Sequence, residues 1–297
     1  MIELVVLSGK GGTGKSSLSA AFATLTKNVV VADCDVDAAN LHLILKPENY
    51  REEIYISGQK AVIDYEKCTS CGICMNYCRF DAIHHSNQRF EITETSCDGC
   101  QLCSRVCPAE AITMVNHDKS RWYEGTIKNG KMVHARLSPG EDNSGKLVNI
   151  VRDQARETAF ETGAEVILID GPPGIGCPVI SALSGTDKVV LVTEPTVSGL
   201  HDLKRIVELV NQFRVQAFVV INKYDLNLSM SDKIENWSTK QHLQVIGKIP
   251  FSQMVVDAMV NCESITNWSP ASKISKEIKQ IWNNLLQDKS AKSVLKT

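Results

Sequence analysis

Two groups of residues in this sequence of 297 residues have types and spacings that can do chemistry. The first is a glycine-rich loop with the spacing G-x-x-x-x-G-K-S, which lies between an apolar run and a helical pattern. In that context, backbone N–H groups and the positive end of a helix converge on a bound anion. We therefore predict a nucleotide site, whose loop residues are Gly9, Lys10, Gly11, Gly12, Thr13, Gly14, Lys15, Ser16 and Ser17.

Lys15 and Ser16 have distinct roles in this prediction. Lys15 would neutralise the β- and γ-phosphates, and the Ser16 hydroxyl would ligate Mg²⁺. Asp170, which ends the apolar run that begins at Val166, would hold Mg²⁺ directly or through water. The alternatives are a glycine-rich turn that arose by chance and an acid that merely caps a turn.

The second group contains eight of the eleven cysteines of the chain. They form two runs with the spacing C-x2-C-x2-C-x3-C, from Cys68 to Cys78 and from Cys97 to Cys107. Metal binding explains such runs better than a disulfide framework, which a reducing cytosol disfavours. Structural zinc sites, the competing interpretation, usually pair C-x2-C knuckles instead.

Composition and charge exclude several classes of protein. A net charge of −2, without a long basic run, provides no footprint for a nucleic-acid partner. The longest apolar runs are far shorter than the ~20 residues that span a bilayer, so we expect a soluble, cytoplasmic protein. Ile274 to Leu286 repeat apolar residues at helical spacing and predict a docking helix. Lys289, Lys292 and Lys296 are too few for a stable membrane anchor.

Strand and helix patterns alternate along most of the chain. They predict an α/β fold, a P-loop NTPase domain with a mainly parallel sheet flanked by helices and nucleotide at the strands' C-terminal ends. The cysteine-rich stretch interrupts this pattern as an insert, so the predicted domains are 1–57 with 118–297, and 58–117. A hairpin over 121–137, with Asn129-Gly130 at its turn, would return the chain to the sheet. Ser144 is predicted to cap the next helix.

With Lys10 beside its first glycine, the phosphate loop resembles the deviant loop of the MinD, ParA and nitrogenase iron protein families of dimeric ATPases. In those families the extra lysine reaches the nucleotide of the partner subunit. The resemblance implies ATP and Mg²⁺ as ligands and a dimer on ATP binding, either a homodimer or a heterodimer with a paralogue. A solvated loop charge is the alternative interpretation of Lys10.

The same resemblance implies further roles at the site. An aspartate after the second strand positions the attacking water, and the alignment of strand ends favours Asp35, with Asp33 and Asp37 left open. Asn222, in the run N-K-Y-D, would meet the adenine edge. The aspartate of an N-K-x-D motif reads guanine in other relatives, so ATP is favoured and GTP is left open. The implied catalytic residues are Lys10, Lys15, Asp35 and Asp170.

The cysteine repeat resembles the bacterial two-cluster ferredoxin across about 55 residues, which implies an inserted α+β ferredoxin-like domain with two [4Fe–4S] clusters. In the crossed pattern of that family, the last cysteine of each run ligates the other cluster. One cluster would then be held by Cys68, Cys71, Cys74 and Cys107. The other would be held by Cys97, Cys100, Cys103 and Cys78.

Other residues of the insert and of the rest of the chain are interpreted as packing. The aromatic residues of the insert would form core that shields the clusters; they are Tyr65, Tyr77, Phe80 and Phe90. Cys177 lies in a region comparable to that of a bridging-cluster cysteine in nitrogenase iron protein. We nevertheless interpret Cys177 as a small buried thiol, like Cys34 and Cys262.

These features lead to one leading hypothesis and two alternatives. The leading hypothesis is an ATPase that couples nucleotide-dependent dimer changes to electron transfer through two clusters, toward a redox partner that the sequence does not identify. The insert follows the first acidic segment, so motion driven by the γ-phosphate would reposition the clusters. The alternatives are an iron–sulfur cluster carrier and a redox-sensing positioning ATPase of the MinD or ParA type.

Overall fold

The computed structural model describes residues 1–141, 144–213 and 215–287, and the chain divides into two units. The larger unit contains Met1–Glu52, Tyr123–Ala135 and the chain from Ser144 onward. The smaller unit contains Glu53–Trp122 and a segment that begins at Arg136. Along the chain, the smaller unit is therefore an insertion in the larger one.

A nine-stranded sheet lies mostly in the larger unit. Its strands are β1 (Ile2–Ser8), β2 (Val29–Asp33), β3 (Glu48–Tyr55), β8 (Ser120–Ile127), β9 (Gly130–Arg136), β10 (Val166–Pro173), β11 (Lys188–Thr193), β12 (Gln216–Asn222) and β13 (Gln244–Ile249). Their order is β13-β12-β11-β1-β10-β2-β9-β8-β3. Every neighbouring pair from β13 to β9 is parallel, which confirms the predicted mainly parallel sheet.

Burial on both faces explains why the central segments form strands. All residues of β2 and β11 are buried, and both strands are rich in valine. Runs of β-branched residues covered on both faces are typical of parallel strands. Because parallel strands end at the same edge, the register places Asp170 of β10 opposite both Asp33 of β2 and Val6 of β1. This edge therefore collects the acids and the phosphate loop.

Helices follow most of the strands of the larger unit. They are α1 (Lys15–Leu25), α2 (Leu41–Leu45), α5 (Ser144–Thr162), α6 (Cys177–Leu183), α7 (Val197–Asn211), α8 (Leu228–Lys240), α9 (Gln253–Val260), α10 (Ile265–Trp268) and α11 (Lys273–Gln287). A 3₁₀ turn covers Tyr224–Leu226. The predicted N-cap Ser144 is instead the first residue of α5, and residues 142 and 143, which precede it, lie outside the described residues.

The apolar stripe near the C-terminus belongs to α11 and packs into the core. Trp282 of α11 stacks on Phe22 of α1, with ring centroids 4.6 Å apart. The predicted docking helix is therefore confirmed. The lysines from which we excluded a membrane anchor, at positions 289, 292 and 296, lie outside the described residues. Within 1–141, 144–213 and 215–287, no helix is long and apolar enough to cross a membrane.

The strands β8 and β9, which lie beyond β2 in the strand order, join the sheet as a hairpin. β8 and β9 are neighbours joined by Lys128–Asn129 alone, a length that only antiparallel strands allow, so the predicted hairpin is confirmed. The edge strand β3 was not predicted. Seven of its eight residues are exposed. Because the strand has no buried face, its sequence lacks the alternation of apolar and polar residues that would predict a strand.

The smaller unit is built from two antiparallel strand pairs. Its elements are β4 (Gly58–Ile63), α3 (Ile73–Tyr77), β5 (Ile83–Ser86), β6 (Arg89–Ile92), a 3₁₀ turn (Glu94–Ser96), α4 (Leu102–Arg105) and β7 (Ile112–His117). β4 pairs with β7, and β5 with β6. The predicted insert, 58–117, begins and ends with the β4–β7 pair. The assignment of this unit as a ferredoxin domain stays a prediction.

The repeat seen in the cysteine spacing also occurs in the backbone of the smaller unit. Three pairs of residues separated by 29 positions have positive φ: Ser70 and Gly99, Gly72 and Gln101, and Asp81 and Glu110. The helices α3 and α4 begin at equivalent positions of the two halves. The two halves therefore share a local conformation as well as a sequence pattern.

The interpretation of the insert's aromatic residues as core was wrong for three of the four. Phe90 is buried, whereas Tyr65, Tyr77 and Phe80 are each between 44% and 54% exposed. The small core of this unit is instead made of aliphatic residues with Cys74 and Phe90.

Candidate functional site

The phosphate loop connects β1 to α1 at the edge where the parallel strands end. Gly14, the residue before α1, has a φ of 90°, a left-handed conformation that glycine adopts without strain. A Cβ on Gly14 would also collide with the side-chain amide of Asn222. The loop thus leads into the N-terminus of an 11-residue helix, where free backbone N–H groups favour an anion.

Lys15 lies among the carboxylates at this edge. Its Nζ is 3.0 Å from Asp170 Oδ2 and 3.4 Å from Asp35 Oδ2. Burial by itself would lower the pKa of Lys15, but Asp170, Asp35 and Asp33 outweigh it and raise that pKa above its ordinary value. Lys15 is therefore charged, and a phosphate could replace the acids as its partner.

Ser16 and Asp170 lie close enough to share one ion. The Ser16 hydroxyl donates to Asp170 Oδ2 over 2.7 Å, and the Ser19 hydroxyl donates to Asp170 Oδ1 over 2.6 Å. Asp170 is 1% exposed. A hydroxyl and a carboxylate are the hard oxygen donors that Mg²⁺ prefers, so these residues fit the predicted magnesium site.

The three acids after β2 differ in their surroundings. Asp33 is buried and accepts the N–H groups of Asp35 over 3.2 Å and of Leu41 over 3.3 Å. Burial, Asp170 and Asp35 raise the pKa of Asp33 to about 8. Asp35 is half-buried and faces Lys15, whereas Asp37 is exposed. Of the three, Asp35 combines access with proximity to Lys15, but its role in positioning water stays a prediction.

Lys10 contacts residues that follow β11. Its Nζ is 2.5 Å from Glu194 Oε1, 3.0 Å from Ser198 Oγ and 3.4 Å from Thr196 Oγ1. Lys223 Nζ is 3.5 Å from the other carboxylate oxygen of Glu194 and donates to the carbonyl oxygen of Gly12 over 3.2 Å. Lys10 is therefore not a solvated charge in this structure.

A cavity of about 240 Å³ lies beside the loop. Asn222, Pro250 and Phe251 line it, with apolar side chains from α1, α9, α10 and α11. Asn222 Nδ2 donates to the carbonyl oxygen of Thr13 over 2.7 Å, so this amide holds the loop as well as lining the cavity. Its predicted contact with an adenine edge stays a prediction.

The eight cysteines of the smaller unit line two separate cavities. One cavity is lined by Cys68, Cys71, Cys74 and Cys107. The other is lined by Cys78, Cys97, Cys100 and Cys103. All eight are free thiols, and across the described part of the chain no group of three or more His, Cys, Asp or Glu residues could hold a metal ion.

Burial makes two of these thiols weaker acids. It raises the pKa of Cys103 to about 11, with a contribution from neighbouring Cys97, and it also raises the pKa of Cys74. Gly99, which lies between Cys97 and Cys100, packs closely against β4. A Cβ on Gly99 would collide with the carbonyl oxygen of Gln59, so close packing against β4 already requires glycine there.

The three remaining cysteines differ from one another. Cys34 is buried, as predicted, and Cys262 is partly buried. Cys177 is exposed at the first residue of α6, so its interpretation as a buried thiol was wrong. The apolar residues that follow Cys177 direct other positions of this short helix into the core, and the burial pattern of α6 leaves its first residue outside.

A family model, CbiA, described as the CobQ/CobB/MinD/ParA nucleotide binding domain, matches residues 4–265. The chain belongs to this family. The uncharacterized protein MJ0578 of Methanocaldococcus jannaschii is 33% identical to this family member over 96% of both chains. A second uncharacterized protein of that archaeon, MJ0579, is 28% identical over 94% of this chain and 96% of its own.

Solved structures of other proteins share the fold of this family member. The cell division ATPase MinD of Pyrococcus furiosus has a TM-score of 0.57 and 18% identity, over 96% of this chain and 98% of its own. At that identity the likeness shows the fold alone. Nucleotide binding is the property of the family whose model matches the chain.

Three residues of the site were missed by reasoning from the sequence. Glu194 follows β11, so an acid at the shared edge was the available signal. Ser19 lies four residues after Lys15 on α1, on the same helix face. Lys223 is the second residue of the N-K-Y-D run, and its role follows only from its contacts with Glu194 and Gly12.

Proposed function

We propose that this protein hydrolyses ATP as a dimer and uses the change between subunits to control electron transfer through two [4Fe–4S] clusters. The observation that carries the proposal is the sorting of eight cysteines into two cavities of four, in a chain of a nucleotide-binding family. Each set of four combines three cysteines of one run with the last cysteine of the other run. Crossed ligation of two cubanes requires this sorting.

The nucleotide half of the proposal rests on the charged groups around Lys15. On ATP binding, Lys15 would exchange its contact with Asp170 for the β- and γ-phosphates. Ser16 and Asp170 would hold Mg²⁺, which offsets the charge that develops on the phosphate oxygens. Asp35 would accept a hydrogen bond from the attacking water and orient it toward the γ-phosphate. Each of these residues is already within contact distance of another member of the set.

Adenine, rather than guanine, fits the base cavity. In a guanine site, the aspartate of the N-K-x-D motif must be free to pair with the base. Here Asp225 Oδ1 accepts the backbone N–H of Phe251 over 2.7 Å, so this carboxylate holds the loop that lines the cavity. The remaining lining is largely apolar, which suits a purine ring that stacks without strong polar demands.

The dimer half of the proposal rests on Lys10. The loop carries a second lysine whose side chain points to α7 rather than to its own phosphate position. In the proposed dimer, Lys10 of each chain acts on the triphosphate bound to the other. Two relatives in one archaeon are consistent with either a homodimer or a pair of paralogues.

The cysteine sites fit a cluster better than a single ion. A cubane holds its four sulfur ligands farther apart than one ion does, so sites for it need not satisfy the geometry of a mononuclear centre. Four thiolates that share one cavity would repel one another unless iron compensates their charge, and iron binding would displace their protons. When bound, such clusters supply one-electron transfer at potentials set by their surroundings.

A second candidate is a positioning ATPase of the MinD or ParA type. The fold likeness to a cell division MinD favours it. Against it, the apolar stripe of α11 packs on α1 and is not available to a membrane. A cluster carrier is the third candidate, and eight ligands in one unit favour resident clusters over ones that are passed on.

Anaerobic purification followed by redox titration tests the proposal. We expect iron and sulfide in the protein, and a midpoint potential or a rate of electron transfer to a dye that changes with Mg-ATP but not with Mg-ADP. Lys10→Ala should abolish the ATP effect and leave the iron content unchanged. Zinc in place of iron would refute the coupling. Clusters whose midpoint potential and rate of electron transfer do not change with Mg-ATP would also refute it. Stoichiometric loss of the clusters to an apo protein would instead favour the carrier.

A further inference from the structure

The contacts of Lys10 form a chain of alternating charges within the larger unit. Glu194 pairs through one oxygen with Lys10 and through the other with Lys223. The three side chains are between 18% and 30% exposed, so the surrounding protein partly shields these pairs from water. Burial alone would raise the pKa of Glu194, but Lys10 and Lys223 lower it below its ordinary value. Glu194 is therefore ionised at neutral pH.

The segment that follows Glu194 is ordered by the start of α7 and provides further partners for Lys10. Thr196 caps α7 by accepting the Gly199 N–H over 2.9 Å, which orders the segment directly after Glu194. Ser198, in the first turn of α7, provides a second acceptor for Lys10. The lysine thus has three oxygen partners in its own chain, and none of them is a nucleotide phosphate.

We propose that Glu194 is a positioning residue that holds Lys10 within its own chain until a triphosphate on a second copy competes for it. This inference rests on the proposed function, in which Lys10 acts across a dimer. Lys10 must break its contact with Glu194 before it can reach another subunit, so the ion pair opposes dimer formation. A triphosphate, with more negative charge than one carboxylate, can displace it.

The same ion pairs connect the lysine to the base cavity. Lys223 lines that cavity and also holds the phosphate loop through the Gly12 carbonyl oxygen.

Glu194→Gln tests the inference because it removes the charge and keeps the size. The measurement is the dimer dissociation constant by analytical ultracentrifugation in Mg²⁺ and a non-hydrolysable ATP analogue. Two pairs of about 0.5 kcal/mol each, one per subunit, predict a dimer about fivefold tighter than that of the natural sequence. Glu208→Gln, an equal charge change at an exposed residue of α7, the helix that follows Glu194, should leave the dimer unchanged.

Further measurements separate this role from a structural one. The gain from Glu194→Gln should shrink as ionic strength rises and should vanish in a Lys10→Ala background. Glu194→Asp keeps the charge on a shorter side chain and should give a smaller gain in the same direction. A dimer that is unchanged or weaker in Glu194→Gln would overturn the inference alone. Failure of the natural sequence to dimerise with the analogue would overturn the proposed function and this inference together.

Discussion

The crossed arrangement of the cysteines makes a prediction that pairs of substitutions can test. Cys107 lines one cavity with Cys71, although it lies in the same sequence run as Cys100, which lines the other. A change of Cys107 to alanine should therefore remove the cluster of the first cavity and spare that of the second. A single substitution at any of the eight cysteines that line the cavities would halve the iron content, so single variants cannot identify which cysteines share a cluster.

Double substitutions identify which cysteines share a cluster. Two double variants that each lack two cysteines should differ in iron content, depending on whether the two cysteines line the same cavity. Cys107→Ala with Cys71→Ala removes two ligands from one cavity and should leave about four iron atoms of about eight per chain. Cys107→Ala with Cys100→Ala removes one ligand from each cavity and should leave about none.

The assay is iron and acid-labile sulfide per chain after anaerobic purification, with electron paramagnetic resonance of the reduced protein. Cys262→Ala, outside both cavities, is the control and should keep the full iron content. Because the smaller unit has a small core, loss of both clusters should also make it sensitive to protease.

The opposite order of the two double variants would refute the crossed arrangement. If each run held its own cluster, the pair Cys107→Ala with Cys100→Ala would keep half of the iron. The pair Cys107→Ala with Cys71→Ala would then lose all of it. Equal iron in both double variants would mean that neither cavity is a cluster site.

Three further predictions concern the larger unit. Asp225→Asn exchanges the carboxylate that accepts the Phe251 N–H for a neutral and weaker acceptor, so it should weaken ATP binding by up to about fivefold, without a gain in xanthine nucleotides. Tighter binding of xanthosine triphosphate would mean that this carboxylate reads the base. Asp33 keeps its proton to about pH 8 in the folded state but loses it near pH 4 when unfolded. The contribution of Asp33 to the free energy of unfolding is therefore lost as the pH rises between these values. Urea unfolding of the nucleotide-free Asp33→Asn variant should give a free energy of unfolding that depends less on pH than that of the natural sequence. An unchanged pH dependence would contradict this prediction. Trp282→Ala should lower the free energy of unfolding by about 3–5 kcal/mol, since it removes a buried ring stacked on Phe22, whereas exposed Trp268→Ala should have little effect.

Several local features of the fold followed from the sequence because each depends on neighbouring residues. The strand before Gly9 and the helix after Gly14 surround the loop within a short stretch of chain. The hairpin at Asn129-Gly130 and the apolar spacing of α11 likewise depend on residues that are close together in the sequence. Membership of a nucleotide-binding family agrees with the chemistry expected of the loop.

Other features depended on residues that are distant in the chain. The exposed edge strand β3 has no pattern of its own, and it forms only because β8 offers a partner. The exposure of Tyr77 and Phe80 could not be foreseen from their residue types, because the core of the smaller unit is formed mainly by aliphatic residues from several of its elements. Burial is a property of the folded neighbourhood, and residue type only biases it.

The sequence by itself determined the chemical types at the sites: a lysine and a hydroxyl for phosphate and magnesium, and eight thiols in two equal runs. Tertiary structure alone decided which of these groups meet. Asp170 contacts Ser16 across 154 positions, and Lys10 contacts Glu194, because parallel strands end at one edge. The spacing of residues along the chain indicates which chemical groups a site contains. Which of those groups come into contact depends on the register of the strands, and no local stretch of sequence determines that register.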